Sequence, residues 1–276
     1  MKTQTINTLY SSFFLWAENL LAQQDNYTNV NSLLYSINDD RLKGKSVYGS
    51  PYRSWIYDSS ITNAQIPSGV YSNGNFIPRG QSGLRLDFNN GRVIFSGGVN
   101  IPVSGQFSPK EFNLYATTKS DQELIFQQRI DFASQFPQFP SGIPSDKVIA
   151  PAIFIRFGNF ETDSFALGGE YLDKLIARAV VLSDSNFSLE AVGNIFVNQK
   201  ENNFLVFNQT PFDEYGDLKS GYFNYEDCLN QYYDPMKLAY ISDVDFTKFQ
   251  PPNPSNPDLR IGFVDFVISL TRFSAK

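Results

Sequence analysis

The sequence predicts an α+β fold. An N-terminal helix and a C-terminal mixed sheet with a flanking helix make one core, and an antiparallel, sandwich-like β-rich unit is inserted into it. Three observations carry this. Apolar residues near the start recur at helical spacing, the stretch from Val70 to Ile130 alternates with a period of two between glycine turns, and the second half holds near-continuous apolar runs. The expected division is 1–46 with 148–276 for the core, 47–131 for the inserted unit and 132–147 for a connector.

In "NTLYSSFFLWAENLLAQQ", Leu9, Phe13, Trp16 and Leu20 form one apolar row, and Tyr10, Phe14, Ala17 and Leu21 form a second beside it. Asn7 or Thr8 would cap such a helix. A helix lying on one sheet needs a single apolar stripe of ~100°. The first row is therefore assigned to the chain's own core, and Tyr10, Phe14 and Leu21 to a contact with another subunit or a neighbouring protein, with ordinary packing on the helix's own domain as the alternative.

The stretch "RGQSGLRLDFNNGRVIFSGG", Arg79 to Gly98, holds five glycines and three arginines. Its glycines suggest a phosphate cradle, but no helix opens after them, as such a cradle requires. Leu84, Leu86 and Phe88 instead alternate with Arg85 and Asp87 ahead of Asn90-Gly91, and Val93 and Phe95 follow. An Asn-Gly pair between alternating runs marks a tight hairpin. Asn73-Gly74 reads the same way, and "EFNLYATT" and "ELIFQQRI" continue the strands. The prolines of "FPQFPSGIPSDK" exclude helix and interior strand from the connector.

Beyond it, "APAIFIRF" and "LIARAVVL" read as strands covered on both faces, joined through the "FALGG" turn. "NFSLEAVGNIFVNQ" sets Leu189, Val192 and Phe196 on one side of a short helix, interrupted by Gly193. "PPNPSNP" reads as a stiff loop. The final segment, "RIGFVDFVISLTRF", places Val264, Phe266, Ile268 and Leu270 on one face of a central strand, with Ile261, Phe263 and Val267 on the other.

Composition narrows the chemistry. The 276 residues include 26 Phe and 15 Tyr, one cysteine and no histidine, with a net charge of −6. Without histidine there is no Ser-His-Asp or Cys-His nucleophile and no His-containing zinc site. Cys228 alone makes neither an internal disulfide nor a multi-thiolate metal site. The net negative charge argues against broad wrapping of nucleic acid, which requires Lys and Arg against the phosphates. "FFLWA", followed at once by Glu18, is too short for a signal peptide or a membrane helix, so cytoplasmic folding without a membrane segment is expected.

Carboxylates remain as candidate chemistry. Asp243 and Asp245 in "SDVDF" would share one side of a strand, and "DEYGD" gathers Asp213, Glu214 and Asp217, but neither has the spacing of a Ca²⁺ loop. Glu111, Glu123, Glu170 and Glu190 each read as surface charge. No catalytic residue, metal ligand or cofactor is assigned, and a non-enzymatic role is expected. The aromatic and amide-rich "GYFNYEDCLNQYYDP", Gly221 to Pro235, reads as a loop pinned by its own side chains, or as a surface suited to sugar or protein.

The order of elements resembles a tail terminator or related neck (head–tail connector) protein of tailed bacteriophages. The N-terminal helix, "APAIFIRF", "FALGG", "LIARAVVL", "SLEAVGNIF" and "GFVDFVISLTRF" carry the resemblance. It implies a virion structural protein whose copies close into a homo-oligomeric ring, such as a hexamer, against neighbouring neck or tail proteins, with DNA at most passing through an acidic lumen. The alternative expectation is a sugar- or receptor-binding β-sandwich of a tail fibre or baseplate, working through residues 70–130 and the Gly221–Pro235 loop. A carboxylate-dependent hydrolase is the third.

Overall fold

The computed structural model describes residues 2–127, 150–166, 170–231, 238–250 and 259–273. The connector at 132–147, residues 167–169 of the "FALGG" turn, all of "PPNPSNP", Tyr232 and Pro235 lie outside the described residues.

The fold is a β-rich α+β arrangement, with two sheets and three α-helices among the described residues. Helix α1 spans Lys2–Ala22, starting ahead of the Asn7/Thr8 cap the sequence suggested. Strands β1 (Val30–Ile37), β2 (Ser46–Gly49), β3 (Gly69–Ser72), β4 (Asn75–Pro78), β5 (Arg85–Asp87), β6 (Arg92–Phe95) and β7 (Val103–Phe107) build an antiparallel sheet in the order β4-β3-β7-β1-β2-β6-β5. Strands β8 (Asn113–Ala116), β9 (Ala152–Ala166), β10 (Glu170–Ser183), β11 (Asn203–Leu205), β12 (Leu238–Phe249) and β13 (Arg260–Phe273) build the second, in the order β11-β12-β13-β10-β9-β8. This sheet is mixed because β8 runs parallel to β9. Helices α2 (Asn186–Val197) and α3 (Tyr225–Gln231) complete the chain.

Sheet membership crosses both edges of the expected inserted unit. Strand β1, within the 1–46 segment assigned to the core, pairs with β2 and β7 of the seven-stranded sheet. Strand β8, within 47–131, pairs with β9 in the other sheet. The Leu33-Leu34 doublet and the Ser and Asn of "VNSLLYSI" hide the alternation of β1, whose side chains are mostly half-buried or exposed.

Two further expectations change. "ELIFQQRI" does not continue the ribbon, because Glu123–Gln127 form a π-helical turn. Its start is a reciprocal cap. The Ser120 N–H donates to Glu123 Oε2 at 2.7 Å, and the Glu123 N–H donates to Ser120 Oγ at 3.3 Å. The resulting turn sets Leu124 and Ile125 against Phe154, Val180 and Ile261, on the outer face of the six-stranded sheet.

The second change is at Asn90-Gly91. Asp87 pairs with Arg92, so Phe88–Gly91 make a four-residue loop instead of a two-residue turn. Gly91 takes φ +62° but is buried, and an added Cβ would sit 2.1 Å from the Tyr52 carbonyl oxygen. Asn73-Gly74 is the two-residue turn, with both φ values positive and open space around Gly74.

The C-terminal strand is central and buried as the alternation requires. Val264, Phe266 and Ile268 are fully buried and Leu270 nearly so, between β12 and β10. On this face lie α1 and α2: the Phe266 ring meets Phe13 at 5.1 Å and Phe196 at 5.3 Å, both edge to face. Gly193 does not break α2. It lets the helix approach the sheet, since a Cβ there would meet the Phe246 ring at 2.5 Å.

Replacing Phe266 with Ala should cost about 3–5 kcal/mol of stability in denaturant unfolding, from lost burial and a cavity that neighbouring rings cannot fill. Gly91→Ala should destabilise more than Gly74→Ala, because only Gly91 adds a backbone collision to positive-φ strain. Equal melting temperatures for the two variants would show that the Tyr52 contact relaxes freely.

Candidate functional site

Helix α1 is buried on almost every side from Leu9 onward, which accounts for its two apolar rows. Phe13 and Trp16 pack on Phe204 and Phe266 of the six-stranded sheet. Its opposite flank meets the segments around the seven-stranded sheet through polar groups. Glu18 Oε1 pairs with the Lys110 ammonium, while Glu18 Oε2 accepts from the Tyr57 hydroxyl at 2.5 Å. The Lys110 side chain is 2% exposed, and its Nζ lies 4.7 Å from the Tyr57 ring centroid. One position on, Asn19 donates to Asp58 Oδ2 at 2.8 Å, and Asp58 Oδ1 accepts from the Tyr225 backbone N–H at 3.0 Å. Burial, then the Glu18 charge, hold the Tyr57 phenol far above its ordinary range.

This corrects the assignment of Leu21 to a subunit contact. Leu21 is fully buried in the chain's own core and has no surface to offer. Ala17 is likewise fully buried in that core. Tyr10 and Phe14 differ: both are half-buried, with rings stacked at 5.8 Å. The Tyr10 hydroxyl donates to the Ile155 carbonyl at 3.2 Å, and its ring centroid lies 3.9 Å from that of Phe157. Burial pushes the Tyr10 phenol up.

Tyr10 and Phe14 line a groove of about 520 Å³ between α1 and strand β8, with Arg53, Asn90 and Tyr115 on its other walls. Strand β8 is the sheet's edge. The Asn113 and Thr117 N–H groups donate inward to the Pro151 and Ile155 carbonyls, at 3.1 and 3.0 Å. Alternate residues of a parallel ladder face the partner strand, so the peptide groups of Leu114 and Ala116 point away from β9, toward the groove.

A second, larger cleft of about 940 Å³ lies elsewhere and shares no lining residue with the first. One wall is the ribbon from Arg79 to Phe88, the other the segment from Asp213 to Phe223, with Tyr57 and Ile66 between. Arg79 pairs with Asp217 at 2.7 Å and also donates to the Leu218 carbonyl. Arg85 pairs with Asp213 and lies over the Tyr215 ring, 4.6 Å from its centroid. Burial raises the Asp217 carboxyl, partly offset by the Arg79 charge. The two arginines come from the glycine-rich stretch and the two aspartates from "DEYGD". No sequence signal pairs residues so far apart.

The other carboxylates the sequence singled out lie elsewhere. Asp243 pairs with Lys200 at 2.8 Å, and Glu190 pairs with Lys248. Asp245 stands opposite Asp265 in the ladder, and Asp265 is bidentate to Arg178 at 2.6 and 2.7 Å. Glu111 accepts from Thr28. Among the described residues no group of three or more Asp, Glu or Cys side chains is placed to hold a metal ion. Cys228 is half-buried against the core, and its thiol is pushed up by burial. No described helix is long and apolar enough to cross a membrane. Compared with known protein families and with curated proteins, the chain finds no match in either.

Lys110→Met should cost about 3–5 kcal/mol, because Glu18 loses its cation inside the fold. Adding Glu18→Gln should recover part of that loss, giving a coupling of more than ~1 kcal/mol in a double-mutant cycle by urea unfolding.

Proposed function

We propose that this chain is a non-enzymatic structural protein of a tailed-bacteriophage virion, assembled in the host cytoplasm into a ring at the neck or tail end, as a tail terminator or connector. The observation that carries the reading is the groove between α1 and the free edge of β8. It offers a neighbour two kinds of contact: peptide groups for strand pairing and the half-buried Tyr10–Phe14 pair for apolar burial. A head-to-tail contact of this kind closes into a ring when the rotation between copies permits. The packing of α1 and α2 on one face of a sheet ending in a long central strand is also the arrangement that the resemblance implies.

Light scattering on the purified chain should give the mass of a closed oligomer. Phe14→Glu should keep the chain folded, since Phe14 is only half-buried, yet reduce it to protomers, since an unpaired charge in an interface costs several kcal/mol. In a phage this variant should leave filled heads and tails unjoined. A wild-type monomer at every concentration, or normal particles carrying Phe14→Glu, would reject the ring contact.

A further inference from the structure

The cleft between the Arg79–Phe88 ribbon and the Asp213–Phe223 segment has a chemistry of its own, and its walls are separate from those of the α1 groove. Its volume, about 940 Å³, falls within the range of small-ligand pockets. Its charges are arranged in pairs. Arg85 faces Asp213 and Arg79 faces Asp217, while the remaining cation, Lys219, donates to the Thr210 carbonyl at 3.0 Å. Paired charges of this kind offer little net attraction to a phosphate or another anion. They do present strong donors and strong acceptors side by side, which suits a neutral ligand carrying many hydroxyl groups.

The pairs are held in place before any ligand arrives. Asp213 Oδ1 accepts the Tyr215 N–H at 2.8 Å and the Asp217 N–H at 3.1 Å. Asp217 Oδ1 accepts the Leu218 N–H at 3.0 Å. A carboxylate has about four lone-pair sites, so each retains capacity for a hydroxyl. The Arg85 and Asp213 side chains are 44% and 23% exposed, and water or a ligand can reach both. At the rim stands Tyr222, 57% exposed, a large aromatic surface left open to solvent. Its hydroxyl is tied to Asp227 Oδ2 and to the Asn224 amide, each at 3.2 Å, which fixes the ring. An aromatic face lining the same cleft as a guanidinium–carboxylate pair can stack on the C–H face of a sugar while the pair takes two adjacent hydroxyls, one as acceptor and one as donor.

We propose that this cleft binds a neutral oligosaccharide, with Tyr222 as the stacking platform and the Arg85–Asp213 pair as the diol clamp. None of its residues lines the groove beside α1, so variants at the two places test the two proposals separately.

The test is an array of neutral, sialylated and phosphorylated bacterial oligosaccharides probed with the full chain, followed by calorimetric titration of the neutral oligosaccharides that bind. Binding to neutral oligosaccharides is expected, weakened about tenfold or more by Tyr222→Ala and by Arg85→Met, with Tyr222→Ala leaving the melting temperature unchanged. Tyr222→Ala removes an exposed ring and two exposed hydrogen bonds, none of them in the core, so it keeps the test valid if Arg85→Met perturbs the fold. Capture of none of the array, capture confined to the charged members, or binding that Tyr222→Ala leaves intact would each overturn the proposal.

Discussion

The ion pair between Glu18 and Lys110, closed by the Tyr57 hydroxyl, fastens one flank of α1 to the segments around the seven-stranded sheet, while Phe13 and Trp16 bury the other flank on the six-stranded sheet. Among the described residues the two sheets are not joined through a shared ladder. Their common core is instead organised around this helix, which contributes Leu9, Phe13, Trp16 and Leu21 to a single buried cluster drawn from both. A buried lysine is tolerated because its charge has a carboxylate partner and an aromatic face at once.

Around that wedge the chain uses close approach in place of bulk. Gly193 on α2 and Gly262 on β13 both lie against the Phe246 ring, so the helix lies low on the sheet. On the far face, Arg178 grips Asp265 and Asp121, and Asp121 also meets Arg156 at 3.1 Å. These pairs link the start of the π-helical turn to β9, β10 and β13. One face of the six-stranded sheet is therefore closed by helices and the other partly by a short turn, leaving Ile176 and Val267 exposed side by side.

Periodicity made the long elements legible. The helical rows of α1, the apolar runs of β9 and β10 and the alternation of β13 follow from which faces are covered. What escaped was decided across long sequence separations. The second row on α1 did need cover, but Ala17 and Leu21 find it in this chain's own core and Tyr10 on Phe157, while Glu18 and Asn19 meet Lys110, Tyr57 and Asp58, which no local pattern announces. Strand β1 is hidden by its Ser and Asn content, because its side chains are largely left outside the core. The π-helical turn was announced by Ser120 and Glu123, a capping pair outweighed by the apparent alternation after it. In the candidate groove, the aromatic pair was visible in the helical spacing, and the free edge of β8 was not. The four charges of the cleft were visible singly, but their pairing was not.

The burial of α1 between distant parts of the chain has a consequence for biogenesis. Phe13 and Trp16 leave the ribosome long before Phe266, which covers them. Until Phe266 follows, the helix carries its largest apolar side chains without the strand that covers them, at a stage when such surface invites aggregation. The seven-stranded sheet can form in the meantime, since its strands are complete by Phe107. The second sheet must wait for β13, which lies at its centre. The order of synthesis thus makes the seven-stranded sheet available to fold before the six-stranded one.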